Sequence, residues 1–138
     1  MIQVAYMDAA SCGGSSPDTQ DPAVLVVEDE PLICDLVAEA LEMAGYRVLT
    51  AADADEALRI LATEQISLLF TDIDLGPGAS GLVLAQAARG KRPQLKVVYA
   101  SGRRRDLSPD ELVPESTFVP KPYRPTQVCD LLARALEA

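Results

Sequence analysis

Four apolar stretches of this chain end on residues equipped for chemistry. AVLVV at 23–27 runs into Glu28, Asp29 and Glu30, and SLLFT at 67–71 runs into Asp72, with Asp74 two residues on. LKVVYA at 95–100 runs into Ser101, and TFVP at 117–120 runs into Lys121. If these stretches lie side by side with like ends together, four or five carboxylates crowd one edge, with one hydroxyl and one ammonium opposite. Two unit charges about 4 Å apart repel by about 4 kcal/mol at an effective dielectric near 20, so such a cluster calls for a cation. Oxygen donors without a neighbouring imidazole or thiolate select a hard divalent ion, Mg²⁺ above all, which keeps waters and accepts a phosphoryl oxygen. Glu30 stands apart, because an acid there also suits a helix N-terminus. Asp29 taken with Asp72 is the pair that points to a site.

The composition narrows the chemistry further. The 138 residues contain no histidine. Ser-His-Asp triads, Cys-His proteases and His-ligated zinc are therefore excluded, and phosphate chemistry must run on carboxylates, Lys, Ser or Tyr, or borrow an imidazole from a partner. Twelve basic against twenty-one acidic residues give a net charge of −9, which disfavours non-specific binding to nucleic acid. Cys12, Cys34 and Cys129 are far apart and form no CxxC pair, so neither a disulfide framework nor a metal cluster is indicated. Cys34 and Cys129 border apolar helical stripes and read as small buried hydrophobes. No signal-peptide pattern and no apolar run of about 18 residues is present, and a cytoplasmic protein is expected.

These residues need a scaffold, and the pattern supplies one. Residues 1–21 are rich in Gly, Ser, Asp and Pro and are expected to form a mobile N-terminal tail before a single domain over 22–138. In that domain, apolar runs alternate with amphipathic stretches. The runs at 23–27, 46–51, 67–71, 95–100 and 117–120 read as strands. A helix opened by Pro31 and stopped by Gly45 carries Ile33, Leu36, Val37, Ala40, Leu41 and Ala44 on one stripe. Asp53 can cap a helix with Ala54, Ala57, Leu58 and Leu61 inward, a third helix covers 81–89, and Pro125 opens a last one with Val128, Leu131, Leu132 and Ala135 inward. Strands alternating with helices imply βαβ units and a parallel sheet covered on both faces. Between 102 and 116, Pro109 and Pro114 leave room only for a short or irregular helix. In such sheets ligands bind outside the carboxyl ends of the strands, where the reactive residues fall.

Four segments in this order and spacing, VLVVEDE at 24–30, LLFTDIDLGPGASG at 68–81, VVYASG at 97–102 and FVPKPY at 118–123, resemble the receiver domain of response regulators in two-component signalling. The resemblance implies a flavodoxin-like, doubly wound, five-stranded parallel sheet in order 2-1-3-4-5. It implies that Asp72 is the phosphoacceptor, that Asp29 binds Mg²⁺ directly with Glu28 acting through water, and that the main-chain carbonyl of Asp74 is a further ligand. Ser101 would hydrogen-bond the phosphoryl group and Lys121 would pair with its charge. Pro122 would follow a cis peptide bond, and Phe118 would be the aromatic that follows Ser101 when the domain switches.

The phosphoryl donor would be a phosphohistidine on a sensor histidine kinase or a histidine phosphotransfer protein, and the output a downstream protein target, with no nucleic acid or membrane involved. Such a domain is no enzyme beyond its self-catalysed phosphorylation and dephosphorylation. Because the chain stops soon after its last helix, a stand-alone receiver or one cut from a larger protein such as a hybrid kinase is expected. Where the family commonly has Asp, Glu28 reaches one methylene further. Asp74 and Arg103 either pair across the mouth of the site and restrict the attacking water, or remain two solvated loop charges.

Competing patterns are weaker. Gly76 to Gly81 satisfies GxGxxG, but it follows the third strand and would set Asp72 and Asp74 against a pyrophosphate. Asp72-Ile73-Asp74 fits a DxD phosphatase, which needs the motif on an early strand and a longer chain. A receiver-like interaction module that takes no phosphate is the remaining alternative, and the complete set of acid, hydroxyl and lysine argues against it.

Overall fold

A computed structural model describes residues 22–102 and 109–137. Strands β1 (Ala23–Val27), β2 (Val48–Ala51), β3 (Ile66–Asp72), β4 (Lys96–Ser101) and β5 (Ser116–Pro120) form one parallel sheet in the order β2-β1-β3-β4-β5. This is the expected order. β1 reads as one apolar run because both its faces are covered: every residue in it is at most 1% exposed.

Helices α1 (Pro31–Met43) and α4 (Pro125–Glu137) cover one face, and α2 (Ala54–Thr63) and α3 (Gly81–Lys91) the other. Side chains alternate accordingly: Leu25, Leu69 and Tyr99 pack toward α2 and α3, while Val26, Phe70 and Val98 pack toward α1 and α4. Pro31 occupies the first turn of α1, where its missing N–H costs nothing. The Asp53 carboxylate accepts the Glu56 amide at 2.8 Å while the Glu56 carboxylate accepts the Ala52 amide at 2.8 Å, a reciprocal cap on α2. Ser80 caps α3 by accepting the Val83 amide at 3.3 Å.

Two expectations need adjusting. On α1 the inward residues are Cys34, Val37 and Leu41, whereas Leu36 is 49% exposed and Ala44 is also exposed. The stripe is rotated by one position because Cys34, at helical spacing from Val37 and Leu41, takes the place toward the sheet. β2 is shorter than expected and starts at Val48. Between β4 and β5 the described residues hold only a three-residue 3₁₀ turn, Pro109–Glu111, in agreement with the proline pattern. Val113, with Leu112 beside it, covers the sheet there, and the buried Tyr99 hydroxyl accepts the Val113 amide at 3.1 Å. The tail 1–21, Cys12 and Arg103 lie outside the described residues.

Candidate functional site

Strand register brings the reactive ends together. Val27 pairs with Thr71, Asp72 with Ala100, and Ser101 with Pro120, so residues 28, 72, 101 and 121 meet at one edge of the sheet. Main-chain bonds fix that edge: Ile73 donates to the Ala100 carbonyl at 2.9 Å and Lys121 to the Ser101 carbonyl at 3.0 Å. The Lys121–Pro122 peptide is cis.

Glu28, Asp72 and Ser101 are buried, at 3%, 5% and 2% exposure, and Asp29 is exposed. One carboxylate oxygen from each of Glu28, Asp29 and Asp72 lies within 4.8 Å of the others. Lys121 Nζ donates to Glu28 Oε1 at 3.1 Å and to Asp72 Oδ2 at 3.2 Å, bridging the two buried acids. Glu28 Oε2 accepts the Glu30 amide at 3.3 Å. Ser101 Oγ donates to Asp74 Oδ2 at 3.2 Å.

The electrostatics record the crowding. Burial, reinforced by the Asp72 charge, pushes the Glu28 carboxyl up to about 7 although Lys121 opposes it. Burial likewise raises Asp72; Lys121 and a hydrogen bond from the Asp74 amide counter it, and Asp29 adds to it. Lys121 would be lowered by burial alone, but the two carboxylates more than offset this and hold it above its ordinary value. Among the described residues, one ammonium thus faces two buried acids. A donor set of clustered carboxylates, with neither thiolate nor imidazole, fits a hard divalent cation.

The loop after β3 closes one side of the site. Asp29, Asp72, Asp74 and Lys121 line a polar cleft of about 620 Å³ floored by Gly76 and Gly78. Both glycines have positive φ, +76° and +97°, and a Cβ on Gly76 would sit 3.5 Å from Asp29 Oδ2. Gly81 is needed for another reason. A Cβ there would fall 2.1 Å from the Asp72 carbonyl oxygen, so α3 can start against the Asp72 backbone only without a side chain.

The GxGxxG spacing therefore reflects two turn positions and one close approach. The family model of the response regulator receiver domain matches residues 24–133. This chain is a response regulator receiver domain.

The receiver is 36% identical over 117 residues to the nitrogen assimilation regulatory protein NtrX of Azorhizobium caulinodans, an alignment covering 83% of this chain and 26% of that protein. The chain thus spans about a quarter of the length of that relative. Among solved structures it resembles the receiver domain of NtrX from Brucella abortus, with 34% identity, a TM-score of 0.71 and coverage of 83% of this chain and 98% of that one. It also resembles the response regulator TrrA of Thermotoga maritima, solved in complex with Mg²⁺-BeF, with 30% identity, a TM-score of 0.71 and coverage of 83% and 99%.

The receiver brings together the expected residues Glu28, Asp29, Asp72, Asp74, Ser101 and Lys121 at one site. Phe118 lies on β5 at the cross-strand position of Tyr99 and is partly buried against the α2/α3 side of the core. The Asp74 side chain accepts the Ser101 hydroxyl, while its pairing with Arg103 falls on a residue outside the described ones. Three contributors were missed from sequence: the bond from the Asp74 side chain to Ser101, the close approach at Gly81, and Tyr99 as the tie to the irregular segment. Among the described residues no helix is long and apolar enough to cross a membrane.

Proposed function

We propose that this receiver domain takes a phosphoryl group onto Asp72 from a phosphohistidine of a partner sensor kinase or phosphotransfer protein. The observation that carries this is the Asp72 carboxylate, buried at the strand end, bridged by Lys121 at 3.2 Å and grouped with Glu28 and Asp29. An Asp72 carboxylate oxygen attacks phosphorus, the P–N bond of the donor breaks, and the electron pair and a proton end on the departing imidazole. Phosphoryl transfer is mainly positioning and charge stabilisation. Lys121 carries its charge to the transferred oxygens, the Ser101 hydroxyl donates to one of them, and the glycines of the loop admit the group without a side chain in its way.

Asp29, Asp72 and the Asp74 main-chain carbonyl would hold Mg²⁺ directly, with Glu28 acting through water. The ion would supply charge neutralisation for the phosphoryl oxygens. The clustered carboxylates of the site and the Mg²⁺-BeF complex of TrrA support that assignment. Because these 138 residues contain no histidine, the donor imidazole belongs to another chain or to a segment outside them. Phosphorylation then shifts an existing two-state equilibrium, with Ser101 turning toward the phosphoryl group and Phe118 following, and the output is contact with a downstream protein.

The test is incubation with a small-molecule phosphodonor and Mg²⁺ followed by mass mapping. One phosphoryl group per chain on Asp72 is expected. A folded sample that takes no label at Asp72, or that turns over phosphate esters catalytically, overturns the assignment.

A further inference from the structure

Asp74 carries an acid two residues beyond the acceptor, and its side chain is already engaged. Its amide hydrogen-bonds the Asp72 carboxylate, while its own Oδ2 accepts from Ser101 Oγ at 3.2 Å. One residue therefore touches both the acceptor and the hydroxyl that must serve it. Ser101 has one hydroxyl proton to donate.

We propose that Asp74 is a positioning residue that competes with the phosphoryl group on Asp72 for the Ser101 hydroxyl, and so sets how readily phosphorylation switches the domain. This rests on the phosphoacceptor reading of Asp72. The main chain on both sides is pinned, Ile73 to the Ala100 carbonyl at 2.9 Å and Lys121 to the Ser101 carbonyl at 3.0 Å. Redirecting the hydroxyl is therefore first a rotation about the Ser101 side-chain bond, which an unbranched serine makes more freely than a threonine.

A hydroxyl bonded to a carboxylate is held more firmly than one bonded to a neutral acceptor. Giving it up for a phosphoryl oxygen, also a charged acceptor, leaves the Asp74 charge facing a newly arrived anion, which favours the unphosphorylated arrangement. By reciprocity, whatever weakens the Asp74–Ser101 bond must strengthen the hold on an anion at Asp72.

Removing a negative charge beside an anion site also tightens anion binding on its own, so a double-mutant cycle is needed to isolate the hydrogen bond. Beryllofluoride affinity at fixed excess Mg²⁺ is measured for the full chain, for Asp74→Ala, for Ser101→Ala and for the double variant. Asp74→Ala is expected to tighten binding about fivefold to tenfold when Ser101 is present and by much less in the Ser101→Ala background. Equal factors in the two backgrounds overturn the proposal, because they report charge removal alone.

In the unliganded protein, NMR side-chain couplings of Ser101 should show one χ1 rotamer in the wild type and rotamer averaging in Asp74→Ala, which removes the acceptor. Unchanged couplings also overturn it. A folded wild-type domain that binds no beryllofluoride refutes the phosphoacceptor reading itself, and that result is separable from a failure of the cycle.

Discussion

At the amino ends of the strands, the Arg92 guanidinium donates to the carbonyl oxygens of Leu61 and Glu64, and Arg47 pairs with the Glu64 carboxylate at 2.8 Å. Arg89 does similar work, reaching the Leu95 carbonyl at 2.9 Å and the Pro114 carbonyl at 2.7 Å. At the carboxyl ends, Glu28 and Asp72 share Lys121 under burial, and both carboxyls are pushed above their ordinary range. The first end matches cationic donors to main-chain acceptors, which stabilises the chain. The second brings like charges together under burial, which costs stability and leaves a carboxylate cluster compatible with a divalent cation. Charge near a sheet edge is thus structural where donors meet acceptors and functional where acceptors meet each other.

The comparison is sharpest at Lys121. Lys121→Met should lower the rate of phosphorylation from a small donor by about 100-fold or more, measured by mass shift over time. Its thermal unfolding should remain cooperative, and loss of the fold would break the distinction.

Gly81→Ala tests whether the functional end also contains structural positions. A Cβ 2.1 Å from the Asp72 carbonyl oxygen should destabilise the domain by about 3 kcal/mol in denaturant unfolding, with phosphorylation impaired as α3 shifts. Arg92→Ala, at the opposite end, should cost about 2 kcal/mol by the same measurement and leave the phosphorylation rate of the folded fraction unchanged.

Glu28→Gln should go the other way. The Glu28 carboxyl lies near 4.5 when unfolded and about 7 when folded, so between these values the folded state binds more protons and the metal-free domain loses stability as pH rises. At pH 8 the substitution should stabilise the metal-free protein by on the order of 1–2 kcal/mol, with the difference shrinking toward pH 4.5. A destabilised variant at pH 8 would mean that the bond to Lys121 outweighs the crowding.

Much of the site was legible because an apolar run marks a strand and the residue after it marks the strand's reactive end. Glu28, Asp29, Asp72, Ser101 and Lys121 all follow from that logic, and the Pro109 and Pro114 pair foretold the irregular segment. The α1 stripe was misaligned at Leu36 because Cys34 and Leu36 are both apolar enough to face the sheet, and only packing chooses between them. Tyr99 gave no signal among valines, since its role depends on the Val113 amide fourteen residues away. Gly81 read as one loop glycine among several, and its necessity comes from the backbone it approaches.

Taken alone, the order of residue types determined the alternation of strands and helices, the acidic balance, the absence of any imidazole among these residues and the identity of the strand-end groups, because these are properties of local pattern and composition. Tertiary structure decided which of those groups meet. Lys121 bridges residues that lie 93 and 49 positions away, and Ser101 donates to an acid 27 positions earlier. Those distances, and the burial that raises Glu28 and Asp72, exist only once the sheet has closed, since a charge's cost depends on the water it has lost and the neighbours it has gained.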